Sequence, residues 1–153
     1  MDVKFINPVL DSIVNILVTM ANLEPVAGKP SIKSDNISLG VVTGMIDLAG
    51  KQANGSVAIS FSREAAFEIV KRMLRTEPAE VDEMVRDLVG EIANMIAGGA
   101  KAKLQDKGYD FELSLPTVFA GEDHEVNHSV SGTTVVLPFK TDVGDFFVEI
   151  CFA

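Results

Sequence analysis

The stretch EVDEMVRDLVGEIANMIAGGAKAKLQDK, residues 80–107, decides how the rest of the chain is read. Its apolar residues Met84, Val85, Leu88, Val89, Ile92, Met95 and Ile96 recur at helical spacing until Gly108 interrupts them, which predicts one long amphipathic helix. Just upstream, Ser62 is the side-chain cap expected for a second helix running to about Arg75, with Pro78 beyond its end. Before that, residues 37–48 and 56–61 are rich in β-branched and apolar side chains and flank Ala49-Gly50-Lys51-Gln52-Ala53-Asn54-Gly55, the pattern of a β-hairpin. A loop containing Gly28 and Pro30 separates the hairpin from a first amphipathic helix, in which Phe5, Val9, Ile13, Leu17 and Met20 keep the same spacing up to a stop near Glu24-Pro25. Downstream of the long helix, residues 110–118, 125–139 and 145–152 are β-branched and aromatic, are broken by Gly121, Pro138 and Gly144, and read as three strands. The order helix, two strands, two helices, three strands predicts an α+β fold in which helices, one long and central, pack on a mainly antiparallel sheet.

A chain of 153 residues fits one domain over 1–153 and can bury about 68–70% of the surface its unfolded form exposes. The formal charge of −9 repels nucleic acid and anionic membrane alike, so the expected partners are proteins or small molecules. Asp2, Asn7, Asp11, Asn15 and Asn22 interrupt the apolar N-terminal stretch, and neither a basic leader nor a small-residue cleavage site accompanies it. It reads as a helix of the mature protein rather than a signal or a membrane span. The single cysteine, Cys151, excludes an internal disulfide framework, fits a cytoplasmic setting and is expected to be a small buried hydrophobe.

Placed at about 100° per residue, Asp87, Glu91, Asn94 and Gly98 of the long helix fall within about 60° of one another, and the apolar set centres roughly 130° away. The polar stripe should therefore face solvent and present a carboxylate and a carboxamide one turn apart. Gly98 lies in mid-helix, where glycine costs about 1 kcal/mol relative to alanine; its bare backbone lets another molecule approach closely. The same pattern is also that of an ordinary solvated helix face with a tolerated glycine pair, Gly98-Gly99.

The segment Asp87-Leu88-Val89-Gly90-Glu91-Ile92-Ala93-Asn94-Met95-Ile96-Ala97-Gly98, followed by Leu115-Pro116-Thr117-Val118, resembles the signature of the CheC/CheX/FliY family of chemotaxis response-regulator phosphatases. That signature is an acidic or serine position, then E-x-x-N, then a proline-containing strand start. Glu24-Pro25 to Gly28-Lys29-Pro30 and Asn54-Gly55-Ser56 to Phe61-Ser62 are also similar to CheX-type members, so the resemblance covers most of the chain. It implies a phosphatase acting on the aspartyl phosphate of a CheY-like receiver domain, in chemotaxis or a related two-component pathway. Carried over residue by residue, it gives Glu91 and Asn94 the catalytic positions and places Asp87 and Gly98 on the partner-binding surface. The chain itself is expected to hold no cofactor, since the receiver brings its own Mg²⁺ and lysine and lacks only a water held in line with the leaving carboxylate. A carboxamide can orient that water without titrating, and a carboxylate such as Glu91 can bridge to the receiver's lysine. An alternative within the same resemblance is a non-catalytic module that only binds a phosphorylated receiver. CheC-like members with a second E-x-x-N carry it in the first helix, where this chain reads Asp11-Ser12-Ile13-Val14-Asn15; one site per chain is expected. A homodimer is expected too, because CheX-like proteins pair through their sheets and the last strand reads as an exposed apolar edge. Phe146, Val148, Ile150 and Phe152 fall on one face of that strand, and Phe147, Glu149 and Cys151 on the other.

His124-Glu125-Val126-Asn127-His128 matches H-E-x-x-H, the zinc-protease pattern. That chemistry requires a helix, whereas the residues just downstream are strand-forming, and in a strand the two rings would stand about 13 Å apart. A polar hairpin turn over 121–127, with His128 starting a strand, is expected instead. On that reading, removing both histidines should leave both the fold and dephosphorylation nearly unchanged.

Overall fold

The computed structural model describes residues 3–153; Asp2 lies outside that range. Among the described residues the elements are α1 (Val3–Ala21), β1 (Val26–Ala27), β2 (Ser31–Ile32), β3 (Val42–Gly50), β4 (Asn54–Phe61), α2 (Arg63–Leu74), α3 (Glu83–Asp106), β5 (Phe111–Leu113), β6 (Thr117–Ala120), β7 (Thr134–Thr141) and β8 (Gly144–Phe152). The strands form one antiparallel sheet in the order β1-β7-β8-β4-β3-β5, with β2 also pairing β7 and β6 also pairing β3. Three helices on an antiparallel sheet agree with the α+β expectation.

Strand alternation sends one set of side chains to each face of the sheet. Val42, Ile46 and Leu48 of β3, Val57, Ile59 and Phe61 of β4, Leu137 and Phe139 of β7, and Phe146, Val148, Ile150 and Phe152 of β8 meet the helices in one continuous core. α3 crosses β3 at Gly44, where an added Cβ would lie 2.9 Å from the Ala93 Cβ, so the bare backbone there sets how closely helix and sheet approach. α1 contributes the row Val9, Ile13, Leu17 and Ala21, all buried. By length and composition its span Lys4–Ala21, with mean hydropathy 1.3, is apolar enough to cross a bilayer, but this row is occupied by the protein's own core. α2 opens as its sequence predicts, with the Ser62 side chain accepting from the Ala65 N–H.

Several expected boundaries shift. The first hairpin strand starts at Val42 rather than residue 37, because the Asp35 carboxylate accepts from the Ile37 N–H (3.0 Å) and the Ser38 hydroxyl donates to Gly40 O (3.0 Å), holding this stretch in a turn. The strand expected over 110–118 divides into β5 and β6 around Pro116, which has no N–H for the ladder. The strand expected over 125–139 is extended only from Thr134; residue 125 makes a single isolated bridge with Ile37. The segment 26–32, read as plain loop, adds the two short strands to the edge of β7.

The last strand is the largest correction. β8 is not an edge: β4 pairs with one side of it and β7 with the other. Its second face is covered as well, for Glu149 and Cys151 are buried along with Thr43, Ser56 and Ser60 of the neighbouring strands. This outer face is polar, and contacts from Lys33, Ser38, His124 and His128 close it over.

Candidate active site

α3 begins at Asp82, whose carboxylate accepts from the Val85 N–H at 3.0 Å, and carries Glu83 in its first turn and Lys103 in its last, both favourable to the helix dipole. Val85, Leu88, Val89, Ile92, Ala93, Ile96, Ala97, Ala100 and Leu104 are buried against the sheet and the other helices. That row fixes the rotation of the helix about its axis. Asp87, Glu91 and Asn94 are consequently exposed, and Gly98 is half-buried, as the stripe predicts. Among the described residues, none of these three polar side chains has a hydrogen-bond or ionic partner within the molecule. An acid and an amide are thus held on a rigid base with their polar ends free.

The glycine pair divides into two roles. A Cβ at Gly99 would collide with the Ser12 hydroxyl, which itself donates to Ile96 O at 2.8 Å, so Gly99 lets α1 sit against α3. A Cβ at Gly98 would meet nothing within 4 Å. Among the described residues, no packing therefore explains the glycine on the stripe. Asp11 of α1, in the stretch compared with a second E-x-x-N, faces Lys103 of α3 at 4.0 Å.

The proline-containing segment lies beside this helix. A Cβ at Gly90 would stand 3.0 Å from Val118 Cγ2 and 3.7 Å from Pro116, so a bare position next to Glu91 lets 116–118 pack against the helix flank. Ser114 ties the segment to β3: its N–H donates to Asp47 O (2.9 Å), its hydroxyl oxygen accepts from the Asp47 N–H (2.9 Å), and its hydroxyl donates to Leu115 O (3.0 Å). Gly90 is the contributor that the pattern reading passed over. A second mid-helix glycine, one turn before Asn94, was the available signal.

His124 and His128 belong to separate networks on the far side of the sheet. His124 Nδ1 lies 2.6 Å from Gly121 O and donates to it, and Nε2 lies 2.7 Å from the Thr43 hydroxyl; the Ser60 hydroxyl lies 2.6 Å from Thr43 Oγ1. His128 Nε2 donates to Glu149 Oε1 at 2.9 Å, and its Nδ1 lies 2.9 Å from the Ser56 hydroxyl. His128 precedes β7 and does not start a strand. Because each ring satisfies buried polar groups, the expectation that both can be removed without effect on the fold is withdrawn.

Helices on one face of an open antiparallel sheet, with an acid and an amide one turn apart on the longest of them and unpaired among the described residues, define an α+β protein with a polar helix surface open to solvent. Residues 42–140 match the family model described as "Chemotaxis phosphatase CheX", and the chain belongs to that family. It is 33% identical over 128 residues to the CheY-P phosphatase CheX of Thermotoga maritima, covering 82% of this chain and 81% of that one. Among solved structures it is similar to the chemotaxis protein CheX of Vibrio vulnificus, with 43% identity, TM-score 0.91, and coverage of 98% of this chain and 99% of the other. It is also similar to a CheX-CheY-BeF3-Mg²⁺ complex from Borrelia burgdorferi, with 26% identity, TM-score 0.82, and coverage of 99% of each chain.

Proposed function

We propose that this chain dephosphorylates the aspartyl phosphate of a CheY-like response regulator, with Asn94 positioning the attacking water and Glu91 holding the partner. The observation that carries this reading is the free, exposed acid and amide on an anchored helix of a CheX-family chain. The Asn94 carboxamide accepts from the water and donates to the phosphoryl group, lining the water oxygen up with phosphorus and the aspartate leaving group. The P–O bond to the aspartate breaks as the water–phosphorus bond forms, the carboxylate leaves, and the water's protons end on phosphate and solvent. Charge neutralisation comes from the receiver's own Mg²⁺ and lysine, and this chain supplies no metal. Glu91 reaches that lysine, Asp87 adds an auxiliary contact, and Gly98 leaves room for the partner's backbone.

Phosphate release from a panel of acetyl-phosphate-treated receivers tests the proposal. Release faster than each receiver's own autodephosphorylation supports it. Binding without release would leave the non-catalytic module as the reading.

Glu91→Gln should weaken binding to the phosphorylated receiver roughly 10- to 150-fold, the equivalent of a charge-assisted contact worth about 1.5–3 kcal/mol when desolvated. Its thermal unfolding should match the parent, because the side chain is exposed and has no partner among the described residues. Titration against a beryllofluoride-activated receiver measures this, and an unchanged affinity removes Glu91 from the interface.

The protein works in the cytoplasm as a homodimer paired sheet to sheet. Since β8 is interior, that pairing uses the open edge at β5 and β6 or the one at β1 and β2. Light scattering at micromolar concentration should return twice the mass of 16.4 kDa, and a monomer refutes the pairing.

A further inference from the structure

The polar stripe of α3 is bordered on both sides by exposed apolar side chains. On one side stands Leu115, 87% exposed, carried on the turn that Pro116 stiffens and Ser114 bonds to β3. This turn rests on Gly90, about 60° around the helix from Asp87. On the other side, about 60° in the opposite sense, Met84 joins Leu88 and the 44% exposed Leu74 of α2 in an open groove of about 460 Å³.

We infer that the receiver is held through apolar contacts on both flanks of the stripe, by the Leu115 turn on one side and the Leu74–Met84 groove on the other. The inference rests on the proposed function and deepens it. A leucine left almost wholly in water yet fixed by a proline and three serine-mediated hydrogen bonds is an anchor already ordered before binding, so docking on it incurs little loss of freedom. A free phosphate or a small phosphoester would engage only the stripe and leave both flanks wet. A folded partner whose phosphorylated pocket is ringed by apolar surface would cover all three together. The flanks are continuous with Asp87, which lines the groove, and with Gly90, which precedes Glu91, so their occupant is the partner that the stripe itself engages.

The test uses the full chain carrying Leu115→Ser or Leu74→Gln, with a receiver that the parent dephosphorylates. Each substitution should raise both Kd for the beryllofluoride-activated receiver and KM for phosphate release roughly tenfold, the scale of one desolvated apolar anchor. At saturating receiver kcat should hold, and the solution mass should equal the parent's. Leu115→Ser cannot be dismissed as misfolding, since its side chain is outside the core; matching melting curves verify this for both. Unchanged Kd in both variants overturns the inference alone. So does a lowered solution mass at unchanged receiver affinity, which would give the flanks to a second copy of this chain. A parent inactive on every receiver overturns the proposed function and this inference together.

Discussion

Asn94→Ala is expected to slow phosphate release from a phosphorylated receiver by at least about 10²-fold, the scale on which misplacing a reactant is felt. The amide is the only group on the stripe that both donates and accepts without titrating, which is what holding a neutral water in line requires. Alanine keeps the neighbouring charges, leaves Glu91 in place and is the better helix former, so lost activity has no origin in a weakened helix. The exposed Asn94 side chain has no partner among the described residues, and its removal leaves none of their buried polar groups unsatisfied. Melting temperature and affinity for the beryllofluoride-activated receiver should therefore match the parent while turnover collapses. Turnover near the parental rate would remove Asn94 as the water-positioning residue.

The part of the molecule that carries this site was legible because its signal is long and periodic. Seven apolar positions over α3 determine both that a helix exists and which way it faces, and the exposure of Asp87, Glu91 and Asn94 follows from that rotation alone. The sheet was less legible because a strand's pattern reports its two faces but not its neighbours. β8 alternates large apolar residues with Phe147, Glu149 and Cys151, and nothing in that alternation distinguishes an edge from an interior strand. Boundaries near Pro116 and around 125–133 depended on hydrogen bonds between residues far apart in sequence, such as Ser114 with Asp47 and His128 with Glu149. Neither histidine lies in a strand, and their side-chain partners, Thr43 for His124 and Ser56 and Glu149 for His128, lie on strands 21 to 81 residues away. Local sequence carried no sign that they hold buried polar groups.

Glu149→Ala is accordingly expected to destabilise the fold by about 3–5 kcal/mol, the effect of removing one partner from a buried charge pair. The Glu149 side chain is 1% exposed and accepts from Lys33 Nζ at 2.8 Å and from His128 Nε2 at 2.9 Å; those partners are 6% and 7% exposed. Truncation removes the acceptor from a largely buried ammonium and a largely buried imidazole N–H beneath the covering segments. At about 2–4 °C per kcal/mol for a chain of this size, the melting temperature should fall roughly 6–20 °C. Replacing both charges, Lys33→Met with Glu149→Gln, should cost less than Glu149→Ala alone, because the penalty comes from the orphaned cation more than from the lost pair. Below its lowered melting temperature the Glu149→Ala protein should retain phosphatase turnover per folded molecule, since Lys33, His128 and Glu149 sit on the face of the sheet opposite α3. Calorimetry and phosphate release on the same preparation separate the two effects. A melting temperature within about 2 °C of the parent would show that water already reaches this network and that the outer face is open in solution.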